Sequence, residues 1–137
     1  HFNISVEIKY QNPNLEINRL VFERVIKNLL RNSIDAISHQ DIKWIQIDSS
    51  IMGDKVSISV TDSGTGIDKE VADRIFEPFY TTKDIGAGTG LGLGLCKTLL
   101  NQIGGDVHLN EEAANTAFII KTPYSIGKCH GAQSNNY

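Results

Sequence analysis

The amino-acid sequence predicts an α/β fold in which helices cover one face of a mixed β-sheet. Short segments that alternate apolar and polar residues, the pattern of half-buried strands, follow one another in pairs along the chain. Two long segments instead repeat their apolar residues at helical spacing. The predicted order is β-α-β-β-α-loop-α-β-β, which indicates one layer of paired strands and one layer of helices.

The first strand and the first long helix are predicted from the residues before position 39. Ile4, Val6 and Ile8 alternate with polar residues and predict a half-buried strand, which a turn at 12–14 ends. A helix is predicted over residues 16–38, because its apolar residues form a stripe separate from a ridge of charged residues.

The rest of the chain predicts four more strands and two more helices. In chain order we expect a strand at 44–48, a turn at 53–54, a strand at 56–61, a short helix at 69–76, a loop at 77–90, a helix from 91 to the glycines at 104–105, a strand beginning at 107, a turn at 112–115 and a strand at 118–122. Residues 1–123 are therefore expected to form one domain, and the polar residues 124–137 a tail or linker. Because the chain starts almost inside a strand, it is expected to be a piece of a longer protein.

The composition is that of an ordinary globular domain and limits the classes of function. A formal net charge of −3 gives no basic surface for nucleic acid. Cys96 and Cys129 fit no metal-ligand spacing, and Cys96 falls in an apolar helical pattern, where a thiol is a small core residue. No run approaches the ~20 apolar residues of a membrane span. A cytoplasmic domain without disulfides is expected, and a membrane-bound parent protein is compatible with this.

A glycine-rich run at 86–94 is the most informative segment of the chain. It has five glycines in nine residues directly before a helical pattern, although each glycine inside a helix costs about 1 kcal/mol relative to alanine. Bare backbone at the start of a helix lets N–H groups approach an anion, and the helix dipole favours this. The run lacks the Lys-Ser or Lys-Thr of one common nucleotide loop and the preceding strand of another. A nucleotide phosphate is the first expectation, and a flexible loop is the alternative.

Three polar residues of the first long helix form a second candidate site. Asn28, Asn32 and Asp35 are spaced by four and three positions, which puts them on one side of the helix next to its buried stripe. Such buried-facing amides and carboxylates need partners, either neighbouring loop backbone or a ligand. An amide oxygen is a hard neutral ligand suited to hydrated Mg²⁺, so the trio favours a ligand or a hydrated metal.

Asp62 continues the inward phase of the strand at 56–61 and stands where that strand stops, ahead of Gly64 and Gly66. An inward carboxylate beside glycines suits a planar ring that bears a hydrogen-bond donor, such as the exocyclic amine of adenine. The alternative is an Asx turn or a helix cap, and Asp68 is better placed to be that cap.

The segment 76–83 carries aromatic residues, then hydroxyls and one lysine. Phe76 and Phe79 are expected to pack against the base of the loop. Lys83 lies near the glycines, so it is either a phosphate contact or an ordinary surface lysine.

These four segments, in this order, resemble the ATP-binding catalytic domain of sensor histidine kinases. NLLRNSIDAI is similar to the N box of that family, DSGTGI to the first G box, FEPFYTTK to the F box and GTGLGLGL to the second G box. The similarity covers about residues 2–123, and four motifs in register are far more specific than any one. It implies a two-layer α/β sandwich of the Bergerat type, shared with gyrase, mismatch-repair proteins and a heat-shock chaperone, with ATP between helices and a lid.

The resemblance also implies a role for each matching residue. Asn32 would be the Mg²⁺ ligand, supported by Asn28, and Asp62 would accept the adenine amine. Asn32 and Lys83 would be catalytic, with Lys83 and the backbone of 88–92 holding the phosphates. The residues implied to bind ATP are, in chain order, Asn28, Asn32, Asp35, Asp62, Gly64, Gly66, Ile67, Phe79, Thr82, Lys83, Gly88, Thr89, Gly90, Leu91, Gly92 and Thr116.

Two departures from the family pattern qualify these roles. Clamp-type ATPases of the wider group have a glutamate general base four residues before the metal asparagine, where this chain has Asn28. An amide cannot take a proton from water, so hydrolysis is disfavoured and transfer to an external nucleophile is favoured. Residues 114–117 keep only Thr116 of a glycine-bearing pattern, which is expected to change the turn but not ATP binding. Residues 77–89 would form the lid, and 81–90 are expected to be poorly ordered without nucleotide.

The resemblance implies a protein histidine kinase domain that binds Mg-ATP as a monomer. It would donate the γ-phosphoryl group to a histidine on a separate dimerisation domain, expected before this chain, for signalling to a response regulator or receiver domain. His1, His39, His108 and His130 lack the acceptor context and are expected to be non-catalytic. The alternatives are an ATPase clamp or a serine-directed kinase of the same fold, and a non-catalytic nucleotide-binding sensor module.

Overall fold

The computed structural model describes residues 4–9, 15–81 and 90–126. Their regular elements are, in chain order, β1 (Ser5–Lys9), β2 (Leu15–Glu16), α1 (Arg19–Ile37), β3 (Trp44–Met52), β4 (Lys55–Asp62), α2 (Lys69–Ala72), α3 (Gly92–Gln102), β5 (Asp106–Leu109), β6 (Ala117–Pro123) and β7 (Ser125–Ile126). The predicted order is confirmed for the longer elements. β2 and β7 have two residues each, which is too short for an alternating pattern to reveal them.

Within the described residues, five strands form the main sheet in the order β1-β3-β4-β6-β5. β1 and β3 run parallel, and the other neighbouring strands run antiparallel, so the predicted mixed sheet is confirmed. β2 and β7 pair with each other in a separate antiparallel ladder. Ser125 and Ile126, which the sequence assigns to the tail, therefore belong to paired structure. The domain boundary at residue 123 stays a prediction, and the turn predicted at 12–14 lies outside the described residues.

Local interactions set the ends of several elements. α1 begins at Arg19 and not at 16, because the Asn18 side chain caps it by accepting the Val21 N–H at 3.1 Å. β3 extends beyond residue 48, because its antiparallel pairing with β4 continues to the predicted turn at 53–54. α2 ends at Ala72, short of the predicted 76, and turns follow it.

The core lies between the main sheet and the helices α1 and α3. Alternate residues of β4 point into it, and one residue per turn of α1 is buried against it. The least exposed apolar side chains are Val25, Leu29 and Ile37 of α1, Ile45 of β3, Val60 of β4, Cys96 and Leu100 of α3, Val107 of β5 and Ile120 of β6. The predicted layer of helices on one face of the sheet is confirmed.

β1 differs from its prediction as a half-buried strand. Val6 and Ile8 are 55% and 62% exposed, although their alternation led us to expect burial. Among the described strands, β1 lies at the edge of the sheet and pairs only with β3, so the apolar side of this strand extends beyond the area that the described helices cover. Alternation predicts that a segment is a strand but not how much of it a neighbouring layer covers.

No helix in the described part of the chain is long and apolar enough to cross a membrane.

Two leucines of α1 test the layer arrangement directly. Leu29 is 0% exposed and Leu20 is 76% exposed, so Leu29→Ala leaves a cavity beneath the helix whereas Leu20→Ala does not. We expect Leu29→Ala to lower the free energy of unfolding by about 2–5 kcal/mol and Leu20→Ala by less than about 0.5 kcal/mol, measured by urea denaturation. Equal losses in the two variants would contradict the packing of α1 on the sheet.

Candidate functional site

Asp62 is the last residue of β4 and lies on the face of the sheet that α1 and α3 cover. It continues the buried alternation of Val56, Ile58 and Val60 and is only 1% exposed. The inward direction inferred from strand phase is therefore what the structure has. A carboxylate this deeply buried requires specific donors, because removing its charge from water is costly.

Three groups of the protein donate to the Asp62 carboxylate. The Gly64 N–H donates to Oδ1 at 2.8 Å, and the hydroxyls of Ser33 and Thr116 also donate. The first bond is an Asx turn, the structural alternative that the sequence leaves open, and it coexists with the other two bonds. Burial nevertheless raises the pKa of Asp62 above its ordinary value, because desolvation outweighs the opposing effect of these hydrogen bonds. An ionised carboxylate has about four lone-pair sites, so three donors leave it capacity for a further one.

Ser33 is a site residue that the sequence reasoning missed. It lies on α1 directly after Asn32 and is buried. The signal was its position in the stripe Val25, Leu29, Ser33 and Ile37, where a hydroxyl interrupts an otherwise apolar face. A buried hydroxyl in such a stripe needs an acceptor, and here Asp62 is that acceptor.

The loop after Asp62 is held close to Thr116. A Cβ atom added to Gly64 would lie 2.7 Å from Asp62 Oδ1 and 2.8 Å from Thr116 Oγ1, so a larger residue here would have to displace one of these two side chains. The Gly66 N–H donates to Thr116 Oγ1 at 3.2 Å, and the Asp62 N–H donates to the Thr116 carbonyl at 2.9 Å. Asp62, Gly64, Gly66 and Thr116, which the sequence proposed for one site, are thus adjacent, and the half-buried Ile67 follows them.

The polar residues of α1 separate into two groups. Asn28 and Asn32 are half-buried, whereas Asp35 is exposed. Asp35 is thus not buried, contrary to the expectation for this side of the helix. It lies on the same side of α1 as Asn28 but near the C-terminal end of α1, whereas α3 contacts α1 at Asn28 and Val25. The expected helical alignment is therefore present, but burial is restricted to the two amides.

α3 runs antiparallel to α1 and brings its first turn to Asn28. Gly92, the first residue of α3, would place a Cβ atom 3.4 Å from Asn28 Oδ1. One turn later, the Cys96 thiol donates to the Val25 carbonyl at 3.9 Å. Burial raises the pKa of this thiol to about 11, so Cys96 is a core residue and not a nucleophile. The N–H groups that open α3 and the amide of Asn28 consequently lie in one region.

The chain that leads into α3 is packed against Phe79, in the middle of the F-box-like segment 76–83. Gly90 has a φ of +70°, and a Cβ atom there would overlap the backbone of Phe79. Phe79 itself has a φ of +65° and an exposed side chain, so the expectation that its ring packs against the base of the loop is wrong. Phe76 does pack, with its ring edge-on to that of Phe118 at 6.4 Å between centroids.

Several predicted site residues lie outside the described residues. These are Thr82, Lys83, Gly88 and Thr89, and with them residues 82–89 of the lid predicted over 77–89 and of the segment 81–90 expected to be poorly ordered. The assignments of these four residues, including the catalytic role of Lys83, stay predictions. Leu91 is described and immediately precedes α3 as its N-cap.

The described histidines, His39 and His108, are not among the groups that interact with Asp62. His39 follows the end of α1 and is exposed. His108 lies on β5 in register with Ile119 and thus on the sheet face opposite to the helices. Burial, followed by the positive charge of Lys121, holds the pKa of His108 below its ordinary value. His1 and His130 lie outside the described residues.

The described residues contain no cluster of three or more His, Cys, Asp or Glu side chains that could hold a metal ion. The half-buried amides of Asn28 and Asn32 are the hard oxygen donors of this region. Neutral amides fit Mg²⁺ when the remaining ligands are phosphate oxygens and water, as Mg²⁺ usually has. The donor set therefore fits a metal that arrives with a phosphorylated ligand.

The raised pKa of Asp62 predicts how stability depends on pH. A pKa above the unfolded value of about 3.9 means that this group favours folding fully below pH ~4, and that its contribution is lost as pH rises through the folded pKa. Asparagine does not titrate, and its amide oxygen can still accept the Gly64 N–H. We expect the free energy of unfolding of Asp62→Asn, relative to the original protein, to increase from pH ~3 to pH ~7 in urea denaturation. A difference that stays constant with pH would contradict a desolvated carboxylate.

Residues 17–126 match the family model described as "Histidine kinase-, DNA gyrase B-, and HSP90-like ATPase". Among curated proteins, the chain is 36% identical over 115 residues to the alginate biosynthesis sensor protein KinB of Pseudomonas aeruginosa. That alignment covers 84% of this chain but only 19% of KinB, so the chain spans about a fifth of the length of this relative.

Solved structures show the same fold. The nucleotide-free catalytic domain of histidine kinase ThkA superposes with a TM-score of 0.75 at 33% identity, covering 88% of this chain and 80% of that domain. ThkA in complex with the response regulator protein TrrA gives a TM-score of 0.71 at 29% identity, covering 89% of this chain and 34% of that one. On the family match, the relatives and the shared fold, this chain belongs to the histidine kinase-, DNA gyrase B- and HSP90-like ATPase family.

Proposed function

We propose that this domain binds Mg-ATP and donates the γ-phosphoryl group to a histidine on a separate dimerisation domain, as part of two-component signalling. The observation that carries the proposal is the buried carboxylate of Asp62, which retains capacity for one more donor beside a loop of glycines. Across the same region, α3 brings its N-terminus to an amide of α1. The region around Asp62, here called the base end, therefore suits a base with an exocyclic amine. The region around the N-terminus of α3 and Asn28, here called the phosphate end, suits phosphate and a metal.

At the base end, the Asp62 carboxylate would accept a hydrogen bond from the adenine amine. Guanine carries a carbonyl oxygen at the equivalent position, which a carboxylate repels, so the residue also discriminates between bases. Gly64 and Gly66 would let the ring approach the backbone, and Ile67 and Thr116 would border it.

At the phosphate end, the backbone N–H groups of Leu91 and Gly92 at the start of α3 would contact phosphate oxygens, which the helix dipole favours. The Asn32 amide oxygen would coordinate Mg²⁺, with Asn28 beside it. Bound Mg²⁺ would neutralise charge on the phosphates and help to orient them. Lys83 would complete this end together with the lid that the sequence predicts over residues 77–89.

Phosphoryl transfer and not hydrolysis is the reaction that these residues favour. Asn28 occupies the position of a general base in clamp-type ATPases, and an amide does not accept a proton from water. An imidazole nitrogen needs no such base to attack: its lone pair forms the new P–N bond while the bond from the γ-phosphorus to the bridging oxygen breaks and ADP leaves. The protein then contributes positioning and charge neutralisation.

The acceptor and the downstream partner are proposed to be separate units. His39 and His108 lie at the end of α1 and on the far face of the sheet, so neither is a candidate acceptor. The relative ThkA has been solved with the response regulator TrrA, which supports a response regulator or receiver domain as the eventual phosphoryl recipient here. We also propose a cytoplasmic location for this domain.

The first prediction concerns nucleotide affinity. Asp62→Asn loses the anionic acceptor, and we expect calorimetry to show ATP binding weakened by about 100-fold or more, with the fold retained by circular dichroism. Asp48→Asn, on β3 and paired with Ser59, is the matched control and should bind as the original protein does. Unchanged affinity in Asp62→Asn would remove this residue from the site.

The second prediction concerns the reaction. Incubated alone with γ-labelled ATP and Mg²⁺, the domain should acquire no stable acid-labile label. When a histidine-bearing dimerisation domain of the same protein is added in trans, label should appear on that domain. Label on the isolated domain would contradict a separate acceptor, rapid phosphate release without acceptor would favour an ATPase clamp, and binding without transfer would favour a nucleotide sensor.

A further inference from the structure

We propose that Asn115 and Gln40 are positioning residues that hold the loop 62–66 from two sides in the shape that binds the base. The inference deepens the proposed function and rests on it for its consequence in nucleotide affinity. Neither residue was singled out as a site residue from the sequence. Both use side-chain amides to fix carbonyl groups of the loop.

Asn115 holds the loop from the β5–β6 turn. Its Nδ2 donates to the Gly64 carbonyl at 3.0 Å, and the same carbonyl accepts the Thr116 N–H at a longer 3.3 Å. The N–H of Gly64 is already bonded to Asp62. Both polar groups of Gly64 are therefore fixed, so the peptide between Gly64 and Thr65 cannot rotate without breaking the shorter of the two bonds to its carbonyl.

Gln40 holds the loop from the other side, beyond the end of α1. Its Nε2 donates to the Ser63 carbonyl at 3.2 Å, and the Ser63 hydroxyl donates to its Oε1 at 2.7 Å. The Ser63 hydroxyl oxygen also accepts the Trp44 N–H at 3.3 Å. Gln40 thus forms hydrogen bonds with both the backbone and the side chain of Ser63, the residue directly after Asp62.

A loop with two glycines needs such restraint to present its carboxylate in one direction. Glycine loses more conformational freedom on ordering than any other residue, and the cost of ordering a loop at the moment of binding reduces affinity. Asn115 and Gln40 donate to the consecutive carbonyl groups of Gly64 and Ser63, so they restrict the loop before a ligand binds. The size of the effect is modest, since Asn115 also lines a polar cleft of about 210 Å³ where water competes for its bond.

The experiment compares Asn115→Gly, Asn115→Asp and Gln40→Glu with the original protein. Glycine removes the donor and fits any backbone conformation, whereas aspartate keeps the size of asparagine but cannot donate to a carbonyl. Glutamate at position 40 keeps the acceptor for the Ser63 hydroxyl and loses the donor. The matched controls are Asn110→Gly, in the same β5–β6 turn with its side chain bonded to the Glu112 N–H, and Gln102→Glu at the exposed end of α3.

We expect calorimetry to show that each test variant binds adenosine, ADP and ATP about three- to tenfold more weakly, by the same factor for all three ligands, with Asn115→Asp the weakest binder. An equal factor indicates a base-end effect, because a phosphate-end effect would grow with the number of phosphates. The controls should bind normally. Test variants within twofold of the original protein, or a loss confined to ATP, would overturn the proposal.

Amide hydrogen exchange followed by NMR tests the restraint without any nucleotide. The N–H groups of Gly64 and Gly66 should exchange at least about threefold faster in Asn115→Gly, with an unchanged unfolding midpoint, and as before in Asn110→Gly. Unchanged exchange rates of Gly64 and Gly66 in Asn115→Gly would contradict the proposal that the loop is held from both sides. Failure of the original protein to bind any adenine nucleotide would instead refute the proposed function, so the two failures are distinguishable.

Discussion

The buried carboxylate of Asp62 is the constraint on which the rest of the structure depends. β4 ends at this residue on its helix-covered side, where water cannot solvate the charge. Donors come from Ser33 of α1, from Gly64 of the following loop and from Thr116, which directly precedes β6. The positions of α1, the glycine loop and the β5–β6 turn are therefore coupled through one charged group. These donors do not fully offset desolvation, so the pKa of Asp62 stays above its ordinary value.

A second constraint is the antiparallel packing of α1 and α3. Contacts of Gly92 with Asn28 and of Cys96 with Val25 fix the register between the two helices. This register brings the dipole of α3 to the middle of α1 at Asn28, five residues before Ser33, which interacts with Asp62. Under the proposed function, the spacing of these two positions along α1 would set the separation between the base and the phosphates.

The sequence was sufficient for those features that depend on periodicity. Strand phase gave the inward direction of Asp62, and helical spacing aligned Asn28 with Asn32. It was insufficient wherever coverage by another element decides the outcome: Val6 is exposed because β1 lies at the sheet edge. Asn115 could not be identified either, because its bond joins residues 51 positions apart. Periodicity reports local geometry, whereas such contacts depend on the complete topology.

The incomplete compensation of Asp62 also explains why the site should respond to ligand. In the absence of ligand, the folded state bears the desolvation of this carboxylate, which a fully satisfied core would not. Under the proposed function, a nucleotide that donates to Asp62 would recover part of that free energy, so binding and folding stability would be linked at this residue. Replacing Asp62 by a non-titrating side chain would then remove the desolvation cost and weaken recognition of the base. A variant that gains folding stability and loses nucleotide affinity would indicate that the carboxylate serves function. A carboxylate that serves structure alone would stabilise the fold, so its replacement would lower stability.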